Sequence, residues 1–305
     1  MSLNRRQFIV ISSVALGAGP LRTLLGAQAP AGAPTGKFEA IRRNIGYFTA
    51  QGGTIGWLID KDTVIVVDSQ YARTAPLCVD GLKQRSPRTI DILFNTHHHA
   101  DHTGGNAIFK PVTKKIVAQA KVPELQRQAA AAQPGAAPQV VADATFDTTW
   151  SEKMGDETVT ARHYGPGHTG GDAVITFERA NVVHLGDLVF NQLHPRVDRP
   201  GGASITGWID RLQTVAKAGG DDTLYIVGHA SQGQPVVVKR DALQLQASYF
   251  DAVLSHVRKA MADGKSKAEI AALQVLPRFE SHAAMGQILT LEGVLNAAYE
   301  ELSAR

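Results

Sequence analysis

The sequence has 305 residues, of which 44% are hydrophobic and 19% are charged, a composition typical of a globular protein with one large domain or two small ones. The formal charge is +3, but without Arg5, Arg6 and Arg22 near the N-terminus the 31 basic residues fall to 28 and equal the 28 acidic residues. This neutral balance gives no support for a nucleic-acid partner.

The N-terminal segment has the pattern of an export signal. Asn4–Ile9 carries twin arginines, and a modest apolar run, Val10–Gly17, follows it. Small residues that suit cleavage end this stretch, so residues 1–29 are predicted to be a twin-arginine signal peptide that directs the protein to the bacterial periplasm. The apolar run is far shorter than the roughly 20 residues of a membrane span, so no membrane attachment is expected after cleavage. Residues 30–37 form a linker rich in Pro, Ala and Gly.

Structured sequence begins near Phe38. Thr54–Ile59 and Thr63–Val67 predict two strands joined by a turn, and a helix is predicted near Thr74–Lys83. This helix carries Cys78, the one cysteine of the chain, so no intrachain disulfide is expected even in an oxidising compartment. The apolar neighbours of Cys78 indicate a small buried hydrophobic residue and not a metal ligand.

A histidine-rich loop follows the apolar run Ile90–Phe94, which predicts a buried strand. The loop reads Thr96-His97-His98-His99-Ala100-Asp101-His102. Imidazole is the commonest metal ligand near neutral pH, and a carboxylate adds charge that balances a dication. His97 and His99 are two positions apart, on the same side of an extended turn, whereas Asp101 and His102 turn toward a second position. One short loop can therefore supply ligands to two adjacent cations.

Three further strands each end at a residue that can bind a metal. Asp156–Tyr164 precedes a glycine-rich turn with His168, Val182–Leu185 precedes Asp187, and Leu224–Val227 precedes His229. Ser204 is the predicted N-cap of a helix that continues to about Ala218. The rest of the chain is predicted to be helical over Leu243–Met261, Lys267–Leu273 and Leu291–Leu302.

The order and spacing of these motifs resemble the signature of the metallo-β-lactamase superfamily over about residues 40–235. The resemblance implies an α/β fold, a four-layer αββα sandwich with its metals at the joined strand edges. It implies one such domain over residues 38–305, with extra C-terminal helices over about 238–305.

The resemblance also implies which residues hold the metals. His97, His99 and His168 would hold the first ion, Asp101, His102 and His229 would hold the second, and Asp187 would bridge the two. Asp68, which closes a predicted strand, matches a position where the family usually has an aspartate behind the metal loop. A simple turn residue at the end of the strand is the alternative for Asp68.

These ligands indicate the chemistry. Histidine nitrogens and carboxylate oxygens without a thiolate suit two zinc ions, and they also admit iron or manganese. Two adjacent cations can share a hydroxide, because each lowers the pKa of water toward neutrality. The resemblance therefore predicts an exported binuclear zinc hydrolase in which this hydroxide attacks the carbonyl of a lactone, thioester, ester or β-lactam. Asp101 is the expected catalytic residue, which orients the nucleophile and transfers protons.

Asp187 indicates which group of enzymes within the family this chain resembles more. Dedicated β-lactamases of this fold generally have a cysteine or serine at the bridging position, whereas hydrolases of thioesters and lactones commonly keep an aspartate. Asp187 therefore favours the second group, although export to the periplasm favours the first.

The loop after Asp187 is predicted to line the pocket, and its polar residues Asn191, His194 and Arg196 are candidates for binding a small-molecule substrate. A loop that only positions the next helix is the alternative. Two other functions stay open, an iron-dependent redox enzyme of the same fold and a non-catalytic periplasmic accessory protein of a quinoprotein oxidation system. The sequence determines neither the substrate nor the oligomeric state.

Overall fold

The first half of the chain forms a seven-stranded sheet in the computed structural model, which describes residues 35–132 and 139–304. Its strands are β1 (Lys37–Arg42), β2 (Ile45–Thr49), β3 (Ile55–Ile59), β4 (Val64–Val67), β5 (Ile90–Asn95), β6 (Thr113–Gln119) and β7 (Ala144–Phe146). They lie side by side in chain order, antiparallel from β1 to β4 and parallel from β4 to β7. The predicted signal peptide, residues 1–29, lies outside the described residues, and β1 begins at the end of the predicted linker.

The second half forms a second sheet. In chain order its strands are β8 (Thr149–Met154), β9 (Glu157–Arg162), β10 (Val174–Phe177), β11 (Val182–His184), β12 (Phe190–Asn191), β13 (Leu224–Ile226), β14 (His229–Ala230) and β15 (Val237–Val238). Six of them pair in the order β15-β13-β11-β10-β9-β8, and only the β11–β13 pair is parallel. The short strands β12 and β14 pair with each other in parallel beside this sheet.

Helices connect the strands and cover both sheets. They are α1 (Ala75–Arg85), α2 (Ala100–Thr103), α3 (Asn106–Phe109), α4 (Val122–Ala131), α5 (Ile205–Ala218), α6 (Arg240–Ala262), α7 (Lys267–Ala271) and α8 (Leu291–Ser303). The predicted N-cap of α5 is confirmed, because the Ser204 side chain accepts a hydrogen bond from the Gly207 N–H. Among the described residues, no helix combines the length and the apolar character that crossing a bilayer requires.

Three hydrophobic cores separate four layers. The two sheets pack face to face through side chains such as Ile65 and Phe94 from the first sheet and Ile175 and Phe177 from the second. The outer face of the first sheet packs against α1, where Cys78 is fully buried as predicted. The outer face of the second sheet packs against α5, α6 and α8. The predicted αββα sandwich is therefore confirmed, and the C-terminal helices complete its second outer layer.

The strand ends bring distant segments together at one edge of the sandwich. The histidine-rich loop follows β5, the segment with Asp187 follows β11, and His229 begins β14 two residues beyond the end of β13, after Val227 and Gly228. The carboxyl ends of strands are where α/β sheets commonly place their chemistry. Backbone hydrogen bonds join the two halves here, from Thr54 N–H to the Gly228 carbonyl (2.9 Å) and from Ala173 N–H to the Thr96 carbonyl (2.7 Å).

Candidate metal centre

Seven histidine and aspartate side chains form two groups that share one residue. One group is His97, His99, His168 and Asp187, and the other is Asp101, His102, Asp187 and His229. Within each group the candidate ligand atoms all lie within 4.8 Å of one another. The structure thus brings together every residue that the sequence predicts as a metal ligand, with Asp187 common to both groups.

In the first group, ring nitrogens converge on a common point. His99 Nδ1 lies 3.1 Å from His97 Nε2 and 2.9 Å from His168 Nε2. The other nitrogen of each ring donates a hydrogen bond to a residue outside the group. His168 Nδ1–H donates to the Arg196 carbonyl (2.9 Å), and His99 Nε2–H donates to Asp198 Oδ2 (2.9 Å). His97 Nδ1–H donates in the same way to the hydroxyl of the preceding threonine (3.0 Å).

These outer hydrogen bonds leave three nitrogen lone pairs facing one another. Lone pairs at this distance repel unless a cation or a proton lies between them. Two nitrogens bound to one tetrahedral zinc at about 2.0–2.1 Å are about 3.3 Å apart, close to the observed separations. The donor set and its spacing therefore fit a divalent metal ion.

In the second group, too, a ring nitrogen of a histidine donates a hydrogen bond to a residue outside the group. His102 Nδ1–H donates to Asp68 Oδ2 (2.7 Å), and His102 Nε2 lies 3.0 Å from Asp187 Oδ1. His229 Nε2 lies 3.0 Å from Asp101 Oδ2. The other oxygen of Asp187, Oδ2, lies 3.5 Å from His229 Nε2 and 3.5 Å from a ring nitrogen of the first group. Asp187 thus stands between the groups, as expected of a bridging ligand.

Asp68 lies behind the histidine-rich loop and orients His102 and Thr96 through hydrogen bonds. Its side chain is fully buried and accepts hydrogen bonds from the backbone N–H of Thr96 (2.8 Å) and from the Thr96 hydroxyl (2.8 Å) as well as from His102. Its backbone has φ +67°, a left-handed conformation that is uncommon outside glycine. Of the two interpretations left open by the sequence, the contacts favour a residue that positions the metal loop.

Two glycines allow the ligands to approach the backbone. A Cβ at Gly53 would overlap the His102 ring, and a Cβ at Gly228 would overlap Asp187 Oδ1. Any larger residue at either position would displace a candidate ligand.

The two groups differ in their affinity for protons. Burial lowers the pKa of His97 and His168, and it lowers that of His99 to about 4, so these rings are neutral at pH 7. Burial also lowers the pKa of His229, but the Asp187 and Asp101 carboxylates outweigh it and raise the value to about 9. Without a cation, the second group therefore retains protons.

Comparison with protein families agrees with this geometry. The model of the metallo-beta-lactamase superfamily matches residues 49–229, more than half of the chain. The chain belongs to the metallo-beta-lactamase superfamily. The predictions of this superfamily and of a metal-dependent hydrolase within it are confirmed.

Relatives within the superfamily fall into more than one group. The chain is 22% identical over 214 residues to a metallo-beta-lactamase type 2 of Elizabethkingia meningoseptica, which covers 64% of this chain and 79% of the relative. It is 30% identical over 131 residues to a hydroxyacylglutathione hydrolase of Crocosphaera subtropica, which covers 42% of this chain and 44% of the relative. The match thus spans less than half the length of that hydrolase.

Solved structures with different names share the fold of this chain. A metallo-beta-lactamase from Pontibacter korlensis superposes with a TM-score of 0.61 at 15% identity, over 71% of this chain and 99% of that chain. A stereoselective inverting sec-alkylsulfatase from Pseudomonas sp. superposes with a TM-score of 0.66 at 15% identity, over 86% of this chain and 49% of that chain.

The three predicted substrate-binding residues of this superfamily member lie in different surroundings. Arg196 lines a cavity of about 200 Å³ together with Asp101, Asp187 and His229. The Asn191 amide donates to the Pro235 carbonyl (2.8 Å), and His194 Nδ1 shares a hydrogen bond with the Tyr249 hydroxyl (2.9 Å). Asn191 and His194 are both buried and do not line this cavity. Their side chains thus bond to other parts of the protein.

The structure adds residues that the sequence did not single out. Asp198 binds His99 and also lies 3.2 Å from His98 Nε2, but no motif marks a carboxylate at this place in an irregular loop. Tyr71, Phe190 and residues 285–289 line the cavity as well. Residues 285–289 lie beyond the part of the chain that the family model matches, so the family motifs gave no signal for them.

Proposed function

We propose that the protein is an exported hydrolase that binds two zinc ions and acts on a small lactone, thioester, ester or β-lactam, by breaking the bond between the carbonyl carbon and the oxygen, sulfur or nitrogen of the leaving group. One observation carries the proposal: seven candidate ligands form two groups that share Asp187, and four of the seven line a cavity. The twin arginines Arg5 and Arg6 support export to the periplasm.

Each side chain then has a role. His97, His99 and His168 would hold one ion, Asp101, His102 and His229 would hold the other, and Asp187 would contact both. When bound, the two ions would lower the pKa of water and polarise the carbonyl of the substrate. Asp68 and Asp198 fix the orientation of His102 and His99 through the hydrogen bonds to their outer nitrogens.

Asp101 is the proposed proton acceptor. Its side chain is one-fifth exposed (20%) and lines the cavity, so a water molecule or a substrate can reach the carboxylate. Burial would raise the pKa of Asp101, but His102 and His229 outweigh burial and keep the carboxylate ionised. An ionised carboxylate can accept a hydrogen bond from water, orient it toward the substrate, and take its proton as the new bond forms.

Metal analysis combined with a substrate panel tests the proposal. The panel contains a lactone, a thioester, an ester and a β-lactam, and an alkyl sulfate because a sec-alkylsulfatase shares the fold. We expect about two zinc ions per chain and hydrolysis of at least one carbonyl substrate. Asp101→Asn should lower kcat by about 100-fold or more, since a general base typically contributes 10²–10⁴-fold.

The matched control is His256→Gln, which changes a histidine of α6 outside both metal groups. It should leave metal content and kcat unchanged. Failure to hydrolyse every carbonyl substrate, or equal activity of Asp101→Asn and the unaltered protein, would contradict the proposal. Stoichiometric iron without zinc would instead favour the iron-dependent redox enzyme.

A further inference from the structure

Residues 285–289, here called the strap, form one wall of the cavity that Asp101, Asp187 and His229 also line. The strap connects α7 to α8, and it lies well beyond residue 229, where the superfamily match ends. The wall therefore belongs to the C-terminal region of this chain and not to the part that carries the metal motifs.

Backbone hydrogen bonds fix the strap in place. Met285 N–H donates to the Leu289 carbonyl (2.9 Å), and Leu289 N–H donates back to Met285 (3.3 Å). Just before the strap, Ala283 N–H donates to the Gln192 carbonyl (3.0 Å), and the Ala283 carbonyl accepts from His194 N–H (3.0 Å). The strap is thus joined to the loop that follows Asp187, so its side chains have a defined position relative to the metal groups.

The strap presents apolar side chains to solvent beside a polar site. Ile288 is 62% exposed and Met285 is 45% exposed, two of the largest exposures among the large hydrophobic residues that the structure describes. Neighbouring exposed apolar groups beside a catalytic cavity are typical of a binding surface. Phe190 and Tyr71 extend the apolar lining into the cavity.

Arg196 supplies a cation in the same cavity. Its guanidinium forms no ion pair or hydrogen bond with another residue in the ranges 35–132 and 139–304. Burial is the larger cause of the low pKa of His99, and the charge of Arg196 adds to it, which is consistent with a position near the first metal group. A guanidinium without a partner at a binding site is suited to a carboxylate or another planar anion.

We propose that the substrate is an amphipathic organic anion, whose anionic group binds Arg196 and whose apolar group packs on Met285 and Ile288. This inference rests on the proposed hydrolytic function and specifies its substrate class. The cavity of about 200 Å³ is smaller than the roughly 300–1,000 Å³ of typical ligand pockets. The cavity thus encloses the reacting part of the substrate, and the apolar part extends along the exposed strap.

Equilibrium binding of a non-hydrolysable probe tests the inference without relying on turnover. The probe is 4-phenylbutyrate, titrated into the zinc-loaded protein by calorimetry or by ligand-observed NMR. Acetate and 4-phenylbutanol serve as the anion alone and the apolar group alone. We expect 4-phenylbutyrate to bind at least tenfold more tightly than either comparator.

Variants separate the contribution of Arg196 to probe binding from that of the strap. Arg196→Ala should weaken binding of 4-phenylbutyrate about tenfold and leave 4-phenylbutanol unchanged, and Arg196→Lys should retain part of the affinity. Met285→Ser combined with Ile288→Ser should weaken both phenyl compounds about fivefold and leave acetate unchanged. Each variant is checked for zinc content and melting temperature, so that a loss of fold is recognised.

Matched controls lie on exposed positions away from the cavity. Arg258→Ala on α6 and Val275→Ser, at a residue that is 51% exposed, should bind the probe like the unaltered protein. Unchanged probe binding in Arg196→Ala would mean that the metal ions alone bind the carboxylate of the probe. Unchanged binding in the Met285→Ser, Ile288→Ser variant would mean that the strap does not contact the probe. Either result overturns the inference.

The inference and the proposed function can fail separately. Probe binding that depends on Arg196 and the strap, in a protein that hydrolyses no carbonyl substrate, would contradict the proposed hydrolysis and support the binding site. Hydrolysis of small neutral esters at the same kcat/KM as amphipathic anions would overturn the substrate class and support the proposed function.

Discussion

Two aspartates outside the two metal groups decide which ring nitrogen of His102 and of His99 faces those groups. Asp68 accepts from His102 Nδ1, and Asp198 accepts from His99 Nε2. The first histidine must therefore present Nε2 and the second Nδ1, although both come from one short loop. Carboxylates in this position commonly control metal affinity, because they fix the tautomer and orientation of the ring and increase its basicity.

Removing one of these carboxylate charges should weaken the first metal site. In Asp198→Asn the His99 Nε2–H loses an ionised acceptor, so we expect the zinc affinity of that site to fall about 10–100-fold with little change in fold. Competition with a zinc chelator measures the affinity. Asp251→Asn, at an exposed position of α6, is the control and should bind zinc normally. Equal affinities of the two variants would show that Asp198 does not support the site.

The two sites should respond differently to pH. In the metal-free protein the second group keeps protons, since carboxylates raise the pKa of His229 to about 9 and also raise that of His102. A metal ion must displace these protons, so its affinity decreases as the pH falls below 9, by up to about tenfold per pH unit for each histidine. The three histidines of the first group are neutral at pH 6, because burial lowers the pKa of each and brings that of His99 to about 4, so this group should retain its ion at that pH.

Calorimetric zinc titrations in buffers of different ionisation enthalpy would count the protons released at each site. Release at pH 7.5 should accompany the ion that binds more weakly at pH 6, and the other ion should release few or none. The same pH dependence for both ions would contradict the assignment of protons to the second group.

The sequence predicted the ligands because each lies in a motif next to an apolar strand. His97, His99 and Asp187 follow buried strands whose apolar composition is easy to recognise. Asp198 and Tyr71 lie in irregular segments, where no periodicity links a residue to the cavity that it borders. Sequence patterns therefore found residues attached to strand ends and missed those positioned by loop conformation.

The C-terminal helix α8 supports α5, the helix that follows the loop after Asp187. Its Glu301 is buried and accepts hydrogen bonds from the N–H groups of Ile205 (2.7 Å) and Thr206 (3.0 Å) in the first turn of α5. Arg199 pairs with the same carboxylate (3.1 Å). A carboxylate at a helix N-terminus satisfies free N–H groups and interacts favourably with the helix dipole.

Removing the Glu301 carboxylate should destabilise the whole protein. Glu301→Ala leaves two backbone N–H groups and the Arg199 charge without their buried acceptor, which should cost about 2–4 kcal/mol in the free energy of unfolding. Glu300→Ala is a close control, because this neighbouring carboxylate pairs with Lys267 at the surface and should change stability by less than about 1 kcal/mol. Urea unfolding measures both variants, and similar losses would refute a special role for Glu301.

Strands with continuous apolar runs were predicted closely, whereas the edge strands β1 and β8 were missed. β4 and β5 are almost wholly buried and carry continuous apolar runs, so their positions were predicted within a residue or two. β1 and β8 are edge strands with mainly exposed or half-buried residues, and sequence gave no apolar run there. Edge strands tolerate charge because solvent contacts them, which removes the signal that identifies buried strands.

At the scale of the molecule, the metal centre lies where the two halves meet. His97, His99, Asp101 and His102 come from the first half, and His168, Asp187 and His229 come from the second. The fold class followed from the family resemblance, which gave no boundary between the two sheets. The structure places this boundary between β7, in the first sheet, and β8, in the second. A ligand set divided in this way couples metal binding to the association of the halves.

Metal ions should therefore stabilise the complete fold and not only a local loop. An ion present at 1,000 times its Kd stabilises the folded state by about 4 kcal/mol, which corresponds to a rise in melting temperature of roughly 10 °C for a domain of this size. Scanning calorimetry of the chelator-treated protein with and without added zinc measures the shift. Asp187→Asn should lose most of it, because Asp187 belongs to both groups, whereas His256→Gln should keep it. Identical melting temperatures with and without zinc would show that the halves associate independently of the metal centre.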